Sequence, residues 1–283
     1  MPVIRPMTLD DVRAAMELTG ATFDDLSRRM GEEPEPPPPD LDAAALRYRM
    51  FVTQDPEGSW VAEDEQGLAG CALATKREGI WGLSLLIVRP GTQSAGVGSE
   101  LLRRAHAYAS DAKGRIILSS ADARAVRAYS RLGLDLHPCF LATGTPKGVT
   151  APAGFRVGTA DDIGFCETVD RFARGGARRS SIETLLAMGQ TLYVLPERGY
   201  AFFGEESLRT MAALDEDSAA AVLRGVLSRV TGQTRVGYLD AAQQWAVPVL
   251  LEAGLDVRGA NGLLFLGGDV GGFHPYLPSG AFL

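Results

Sequence analysis

The sequence predicts a mixed α/β protein built from two tandem copies of one α/β unit. Residues 4–12 read IRPMTLDDV and residues 155–163 read FRVGTADDI, each a strand-like start followed by Thr, two aspartates and an apolar residue. A second pair, LGLDL at 132–136 and AGLDV at 253–257, follows a helix-like segment and opens a strand in both copies. Strand-like and helix-like segments alternate along the chain, as they do where helices pack on a central sheet.

The two copies account for the length of the chain. Its 283 residues suit one large domain or two ordinary ones. The segment 146–154, PKGVTAPAG, has the Pro and Gly content of a linker. We therefore expect a first copy over residues 1–146 and a second copy over residues 154–283, each with a mixed central sheet flanked by helices. The first repeat is offset by 151 residues (155 minus 4) and the second by 121 (253 minus 132), so the second copy is shorter inside.

Each element of the first copy has a local signal. Thr8 and Thr159 are placed to cap the helix that follows each repeat, and the aspartates after them favour its positive end. The proline run at 34–39 cannot continue a helix and is expected to form a stiff surface loop. The predicted order is strand 3–5, helix 10–30, helix 41–52, a hairpin turning at 66–67, strand 80–88, helix 97–110, strand 115–119, helix 122–132 and two strands near 134–144.

Composition excludes several classes of protein. The 28 Lys and Arg against 35 Asp and Glu give a net charge of −7, which argues against a general nucleic-acid binder. The longest notable apolar run, 81–88, is far below the ~20 residues of a membrane span, and the N-terminus lacks a signal-peptide core, so we expect a cytoplasmic protein. Cys71, Cys139 and Cys166 have neither metal-site nor disulfide spacing, so we expect inert thiols and no metal.

The turn after strand 80–88 carries the most specific signal. The strand ends at Val88, and residues 93–98, QSAGVG, open an amphipathic helix. Glycines there let backbone N–H groups approach an anion, and the helix N-terminus adds partial positive charge, which suits a pyrophosphate. The dinucleotide pattern GxGxxG would need glycine at Leu101, and the P-loop would need lysine at Ser99, so both fail.

Residues 88–98 fit the pattern V-x-P-x-x-Q-x-x-G-x-G, with Val88, Pro90, Gln93, Gly96 and Gly98 at the fixed positions. Here the chain resembles the GNAT superfamily of acetyl-CoA-dependent N-acyltransferases. In that family the loop amides hold the CoA pyrophosphate, and the preceding strand pairs with the pantetheine arm and polarises the thioester carbonyl. The resemblance implies that acetyl-CoA is bound by Leu86, Ile87, Val88, Gln93, Ser94, Ala95, Gly96, Val97, Gly98 and Ser99.

A second segment, SSADARAVRAYSRLGLDL, resembles the later motif of the same family. Ala125, Tyr129 and Gly133 fall in place, whereas Asp122 stands where Asn is usual and Leu134 replaces an aromatic residue. A tyrosine with a pKa near 10 is matched to a thiol, so the resemblance implies that Tyr129 is the general acid for the departing CoA thiolate.

The general base is left open. Asp24 and Asp25 lie near the end of the first helix, where the family often forms its acceptor site, and residues 63–65 are acidic but surround a hairpin turn. Loss of the proton through ordered water is an equal alternative.

The second copy has lost both functional positions. Its counterpart of strand 80–88 is 207–214, SLRTMAAL, and the turn after it reads DEDSA, without glycine. Its carboxylates would repel a pyrophosphate and can cap the new helix themselves. The offset of 121 places Leu250 at the position of Tyr129. We expect the second copy to bind no CoA.

These observations predict an N-acetyltransferase active in the first copy only. It would transfer the acetyl group to a primary amine of a small molecule or peptide by direct attack in a ternary complex, since no Cys or Ser is placed to carry the acyl group. We expect a monomer or homodimer with neither nucleic-acid nor membrane partners. The alternatives are a non-catalytic acetyl-CoA-binding sensor or interaction module, and transfer of a longer acyl group.

Overall fold

The computed structural model describes residues 2–92, 96–204, 206–259 and 262–283. The chain divides into two units. The first contains Met1–Lys76 and Trp81–Ala112, and the second contains Arg77–Ile80 and Lys113–Leu283.

The first unit carries a sheet with strand order β1-β2-β3-β4. β1 and β2 are antiparallel, as are β2 and β3, with Val61 opposite Cys71. The predicted strand 80–88 has these bounds, and the helix predicted over 97–110 ends at Ala107. The elements are β1 (Val3–Pro6), α1 (Val12–Met30), α2 (Leu41–Gln54), β2 (Ser59–Asp64), β3 (Gly67–Arg77), β4 (Ile80–Val88) and α3 (Val97–Ala107).

Local signals set the ends of the first two helices. α1 ends at Gly31, whose φ of 75° lies in the left-handed region that glycine adopts readily. The proline run at 34–39 is exposed and contains neither helix nor strand, as predicted. Asp40 then caps α2, because its carboxylate accepts the N–H of Ala43 at 2.9 Å.

The second unit contains two sets of paired strands. One has the order β5-β14-β6, and the other has the order β13-β7-β12-β11-β10-β9-β8, with β15 paired to β11. The elements are β5 (Gly114–Ser119), α4 (Ala123–Ser130), β6 (Asp135–Pro138), β7 (Phe140–Gly144), β8 (Arg156–Val157), α5 (Ile163–Arg174), α6 (Arg179–Ala187), β9 (Thr191–Leu195), β10 (Gly199–Gly204), β11 (Ser207–Ala213), α7 (Glu216–Leu227), β12 (Thr234–Leu239), α8 (Ala246–Glu252), β13 (Asp256–Arg258), β14 (Leu263–Gly268) and β15 (Tyr276–Leu277).

The two copies exchange a strand within this unit. β7, from the first copy, lies between β12 and β13 of the second copy, with Ala142 opposite Val236. β14, from the second copy, lies between β5 and β6 of the first, with Phe265 opposite Ile117. The predicted linker 146–154 contains neither helix nor strand. The two compact units nevertheless do not divide the chain at this linker, because each exchanged strand pairs with strands of the other copy. The domain bounds 1–146 and 154–283 stay a prediction.

The sequence repeat is also a structural repeat. Arg5 holds Asp11 through two bonds of 2.8 Å, and Arg156 holds Asp162 through bonds of 2.9 and 2.6 Å. In both copies the aspartate also accepts, at 2.8 Å, the backbone N–H of the threonine three residues before it. The hydrogen bond from Arg5 is the main cause that lowers the pKa of Asp11 to about 2. One capped turn therefore opens the first long helix of each copy.

Three further features concern the cysteines, membrane-spanning helices and metal-binding groups. Cys71, Cys139 and Cys166 are free and buried. No helix within the described ranges combines the length and apolarity needed to span a bilayer. The same ranges hold no group of three or more His, Cys, Asp and Glu side chains arranged to bind a metal ion.

Candidate functional site

Arg89 fixes the point at which the chain leaves β4. Its N–H donates to the carbonyl of Ala69 on β3 at 2.9 Å, and its guanidinium pairs with Asp64. Its own carbonyl accepts both the N–H of Thr92, at 3.1 Å, and the Thr92 hydroxyl, at 2.8 Å. The strand therefore ends at Val88 in a held turn.

The N-terminus of α3 comes next, and no side chain of the described residues caps it. Its N-cap residue, Gly96, has a φ of 84°, and a Cβ built there would meet no atom within 4 Å. The first N–H groups of a helix have no intrahelical partner, so an open, uncapped end can bind an anion. The predicted loop residues Gln93, Ser94 and Ala95 lie outside the described residues.

Two glycines bring α3 close to the strands beneath it. A Cβ at Gly98 would lie 3.2 Å from Cγ2 of Val88, and one at Gly70 on β3 would lie 2.7 Å from Cδ1 of Leu101. A larger residue at either position would push the helix away. Gly98 thus brings the first turn of α3 against the last residue of β4.

The predicted cofactor residues differ in what they expose. Ile87 and Val97 are both 5% exposed, so their side chains belong to the core. Leu86 and Val88 are half-buried and Ser99 is exposed. The family resemblance implies contacts through the backbone, which do not require these side chains to be exposed.

One carboxylate, Glu100, stands in the first turn of α3. It accepts from Nε of Arg103 at 2.7 Å and from Nε of Arg104 at 2.9 Å, and these bonds, Arg103 first, lower its pKa to about 2. Arg104 also lies over the ring of Trp60, 5.1 Å from its centroid. The charge of Glu100 is therefore offset by two cations on the same helix.

A further cation lies against the middle of β4. Arg47 of α2 donates to the hydroxyl of Ser84 at 2.6 Å, and its guanidinium lies 5.4 Å from the ring centroid of Tyr48 and 5.8 Å from that of Phe51. This arrangement fixes a positive charge two residues before Leu86.

Tyr129 lies on α4 in the second unit and is 5% exposed. Its ring packs edge-on against Phe265 of β14, with the centroids 5.5 Å apart. Burial, and to a smaller extent the charge of Asp122, raises the pKa of the Tyr129 hydroxyl above its ordinary value. Within the described residues this hydroxyl has no hydrogen-bond partner. The hydroxyl is therefore neutral and protonated at neutral pH.

Three residues of the motif around Tyr129, the two departures Asp122 and Leu134 and the matching Gly133, have local structural roles. Asp122 caps α4, accepting the N–H of Arg124 at 2.8 Å. Gly133, with a φ of 72°, provides the left-handed residue after the helix. Leu134 packs on β14, where a Cβ at Gly267 would lie 2.4 Å from its Cδ2.

The acidic residues considered as bases are occupied locally. Asp64 pairs with Arg89, and three other carboxylates pair with arginines on neighbouring turns or strands. These pairs are Asp24–Arg28, Asp25–Arg29 and Glu63–Arg5. Such exposed pairs are typical of a solvated surface.

The second copy closes the corresponding helix end with its own side chain. Asp215 caps α7, and its carboxylate accepts the N–H of Ser218 at 2.7 Å and the Ser218 hydroxyl at 2.8 Å. The bond from the Ser218 N–H is the first cause that lowers the pKa of Asp215. Leu250 is fully buried on α8. The capping predicted for this turn is confirmed.

Two contacts of the site were not found from the sequence. Phe265, the ring against Tyr129, lies 136 residues away (265 minus 129) on an exchanged strand, so no local pattern links the two. Arg47 sits in a helix with an apolar face, and its place over β4 has no spacing signal. Both depend on tertiary packing.

Residues 21–134 match the family model described as the acetyltransferase (GNAT) family. No protein of curated function matches the chain significantly. Three solved structures are similar across nearly the whole chain. A candidate acetyltransferase from Pyrococcus horikoshii has a TM-score of 0.74 and 13% identity, covering 94% of this chain and 89% of its own. A GCN5-related N-acetyltransferase from Sphaerobacter thermophilus has a TM-score of 0.56 and 16% identity, covering 94% of both chains. A tandem GNAT protein from the clavulanic acid biosynthesis pathway has a TM-score of 0.55 and 13% identity, covering 95% of this chain and 98% of its own.

Proposed function

Because residues 21–134 belong to the GNAT family of acetyltransferases and the chain has the fold of tandem GNAT proteins, we propose that it is an acetyl-CoA-dependent N-acetyltransferase. The acceptor is a primary amine of a small molecule or peptide. Transfer of an acetyl group from acetyl-CoA is general in this family. The proposal places binding of acetyl-CoA in the first copy only.

The observation that carries the proposal is the open N-terminus of α3 directly after β4. Gly96 adopts a left-handed conformation, and among the described residues no side chain caps the helix and no atom lies within 4 Å of a Cβ built at Gly96. Backbone N–H groups at such an end bind phosphate oxygens. In this proposal the backbone of Leu86–Val88 pairs with the pantetheine arm as an added strand would.

The reaction is a direct transfer. The neutral amine nitrogen attacks the thioester carbonyl carbon, the carbon–sulfur bond breaks, and the acetyl group passes to nitrogen. A backbone N–H of β4 stabilises the negative charge that develops on the carbonyl oxygen. The sulfur leaves with the electron pair and takes the proton of the Tyr129 hydroxyl. The amine gives up its proton to water, and water returns a proton to Tyr129 before the next turnover.

The raised pKa of Tyr129 is compatible with this role. A free thiol has a pKa near 8.5, below that of tyrosine. Burial raises thiol pKa values as well, as it does for Cys71 of this chain, to about 12. A departing sulfur in a buried place is therefore basic enough to accept a proton from a buried tyrosine.

Acetyl-CoA titration tests the binding step. Gly96→Glu places a carboxylate where the pyrophosphate is proposed to bind and should weaken binding by more than about 100-fold, as several lost charge-assisted hydrogen bonds would. Gly31→Glu is the matched control, since Gly31 is also left-handed with no atom within 4 Å of a built Cβ. It should bind acetyl-CoA normally. Equal binding by both variants would contradict the proposed site.

The alternative function is a non-catalytic acetyl-CoA sensor. Release of free thiol from acetyl-CoA in the presence of a panel of primary amines separates the two. Turnover with any amine supports the enzyme. Binding without turnover across the panel supports the sensor.

A further inference from the structure

The second copy has a strand whose two edges are both occupied. Met211 and Ala212 of β11 pair with β10 on one edge, opposite Ala201 and Tyr200. On the other edge β12 runs parallel to β11, and Ser207 at the start of β11 lies opposite Arg235 of β12. Further along that same edge, β11 pairs instead with β15.

The partner on that edge is the C-terminal segment 273–283. Leu277 lies opposite Met211 and Tyr276 lies opposite Ala212, in antiparallel register. The N–H of Ala213 donates to the carbonyl of Pro275 at 3.3 Å. A short stretch of peptide therefore fills the gap that opens between β11 and β12.

The filled positions correspond to those that the first copy reserves for its cofactor. β4 ends at Val88 and β11 ends at Ala213, and in both copies a helix follows, α3 in the first and α7 in the second. Counted back from these ends, Ala212 and Met211 correspond to Ile87 and Leu86. These are the residues proposed to pair with the pantetheine arm.

Buried polar side chains hold the segment in place. The hydroxyl of Thr210 donates to the carbonyl of Leu277 at 2.9 Å, and Nη1 of Arg178 donates to the carbonyl of Phe282 at 2.6 Å. Arg178 is fully buried and paired with Asp170, also fully buried, at 3.0 Å. A buried charge needs every bond it can make, so its bond to the segment is part of the core and not a surface contact.

We propose that the second copy is a peptide-binding domain whose ligand is the chain's own segment 273–283. This segment takes the edge of β11 that is the counterpart of the pantetheine edge of β4. The class of ligand is an extended apolar peptide, recognised by main-chain pairing and by pockets that bury Tyr276, Leu277 and Phe282 to 1%, 1% and 3% exposure. The comparison with pantetheine rests on the proposed function, whereas the peptide-binding edge itself does not.

Hydrogen exchange of the full chain, with and without acetyl-CoA, tests the proposal. Amides of 273–283 should be protected without acetyl-CoA and should stay so when it is added, whereas amides of 86–88 should gain further protection on its addition. Fast exchange of 273–283, or its loss of protection on adding acetyl-CoA, would overturn the peptide-binding proposal. Unchanged protection of 86–88 would overturn the proposed function and leave the result for 273–283 standing.

A pair of threonine variants sharpens the test. Thr210 and Thr234 are both 1% exposed on strands, and each hydroxyl donates to a backbone carbonyl, at 2.9 and 2.8 Å. Only Thr210 donates to the segment, because Thr234 donates to Glu206. Thr210→Val removes its bond to the segment and also the bond that the Thr210 hydroxyl accepts from Arg178. It should therefore speed exchange of 273–283 by more than about tenfold, and Thr234→Val should leave it unchanged. No increase with Thr210→Val, or the same increase with both variants, would count against the proposal.

Discussion

The two copies complete the same junction between strand and helix in opposite ways. The N-cap residue of α3 is Gly96, and no side chain of the described residues caps that helix, whereas the N-cap residue of α7 is Asp215, whose carboxylate accepts the Ser218 N–H at 2.7 Å. Unpaired N–H groups at a helix start need an acceptor, which is either a ligand or the chain itself. In the second copy one aspartate of the chain supplies that acceptor.

The helices that open each copy differ in a related way. The offset of 151 residues aligns Asp170 with Thr19. In the first copy the Thr19 hydroxyl accepts from the Tyr48 hydroxyl at 2.9 Å, a bond between neutral groups. In the second copy Asp170 pairs with Arg178, and Arg178 binds the segment 273–283. The second copy has thus placed a buried ion pair where its own peptide must be held.

The largest expected effect comes from breaking that ion pair. Asp170→Asn leaves the Arg178 guanidinium buried without a counter-charge and should lower the free energy of unfolding by about 3–5 kcal/mol. Thr19→Val, at the aligned position, removes two neutral hydrogen bonds, one from Tyr48 and one to the carbonyl of Ala15, and should cost about 1–2 kcal/mol. Urea unfolding monitored by circular dichroism measures both. Equal losses of stability would mean that the buried ion pair at Asp170 contributes no more than the neutral hydrogen bonds at Thr19.

The next effect tests the catalytic difference between the copies. Tyr129→Phe removes the proton donor but keeps the ring on Phe265, so kcat should fall about 100-fold or more while acetyl-CoA binding is unchanged. Tyr193→Phe, in the second copy, keeps its ring stacked on Phe155 at 5.3 Å and should leave kcat unaltered. Steady-state thiol release measures kcat, and titration with acetyl-CoA measures binding.

The pH profile adds a second readout for Tyr129. Its raised pKa keeps the hydroxyl protonated through pH 10, so the wild-type kcat should not decline on the alkaline side below that pH. A decline between pH 8 and pH 9 would assign the acid to another group. Full activity of Tyr129→Phe would do the same.

Much of this fold could be predicted because its signals are local. Strand 80–88 ends just before Pro90 and the glycine turn, and the turns at Thr8 and Thr159 share the bond from the threonine N–H to the aspartate three residues later. The glycine pattern likewise located the start of α3, because only glycine adopts the φ of 84° without strain.

The strand exchange could not be predicted, because it depends on contacts far apart in sequence. β7 and β14 look like ordinary closing strands of their own copies, and nothing local says that Phe265 will lie between β5 and β6 rather than in its own sheet. The ion pair Asp170–Arg178 spans only eight residues, but its role depends on Phe282. Alternation and capping specify elements and not the partners those elements choose.

A smaller effect concerns the cap that distinguishes α7 from α3. Asp215→Ala removes the bonds to Ser218 and should cost about 1 kcal/mol at neutral pH. The pKa of this carboxylate is lowered, so its contribution is present above the unfolded value near 3.9 and is lost as pH falls through the folded value. Urea unfolding should therefore show a larger cost at pH 7 than at pH 2.5.

The same variant bears on ligand binding. Removing the carboxylate should not create a second acetyl-CoA site, because the segment 273–283 still occupies the edge of β11. Titration should give one acetyl-CoA per chain for both wild type and Asp215→Ala. Two per chain would show that the aspartate alone distinguishes the copies.

The smallest expected effect concerns the buried cysteines of the two copies, which should not react with a thiol reagent. Burial raises the pKa of Cys71 and Cys139 to about 12 and that of Cys166 above its ordinary value, so the reactive thiolate is scarce at pH 8 and shielded from reagent. Iodoacetamide should leave the folded chain unlabelled over an hour and label all three cysteines in urea, as mass spectrometry would measure. Rapid labelling of Cys166 before Cys71 would mean that α5 opens more readily than β3, contrary to a helix tied to a buried ion pair. Labelling of any thiol that also abolished activity would contradict direct transfer to the amine, because that mechanism needs no cysteine.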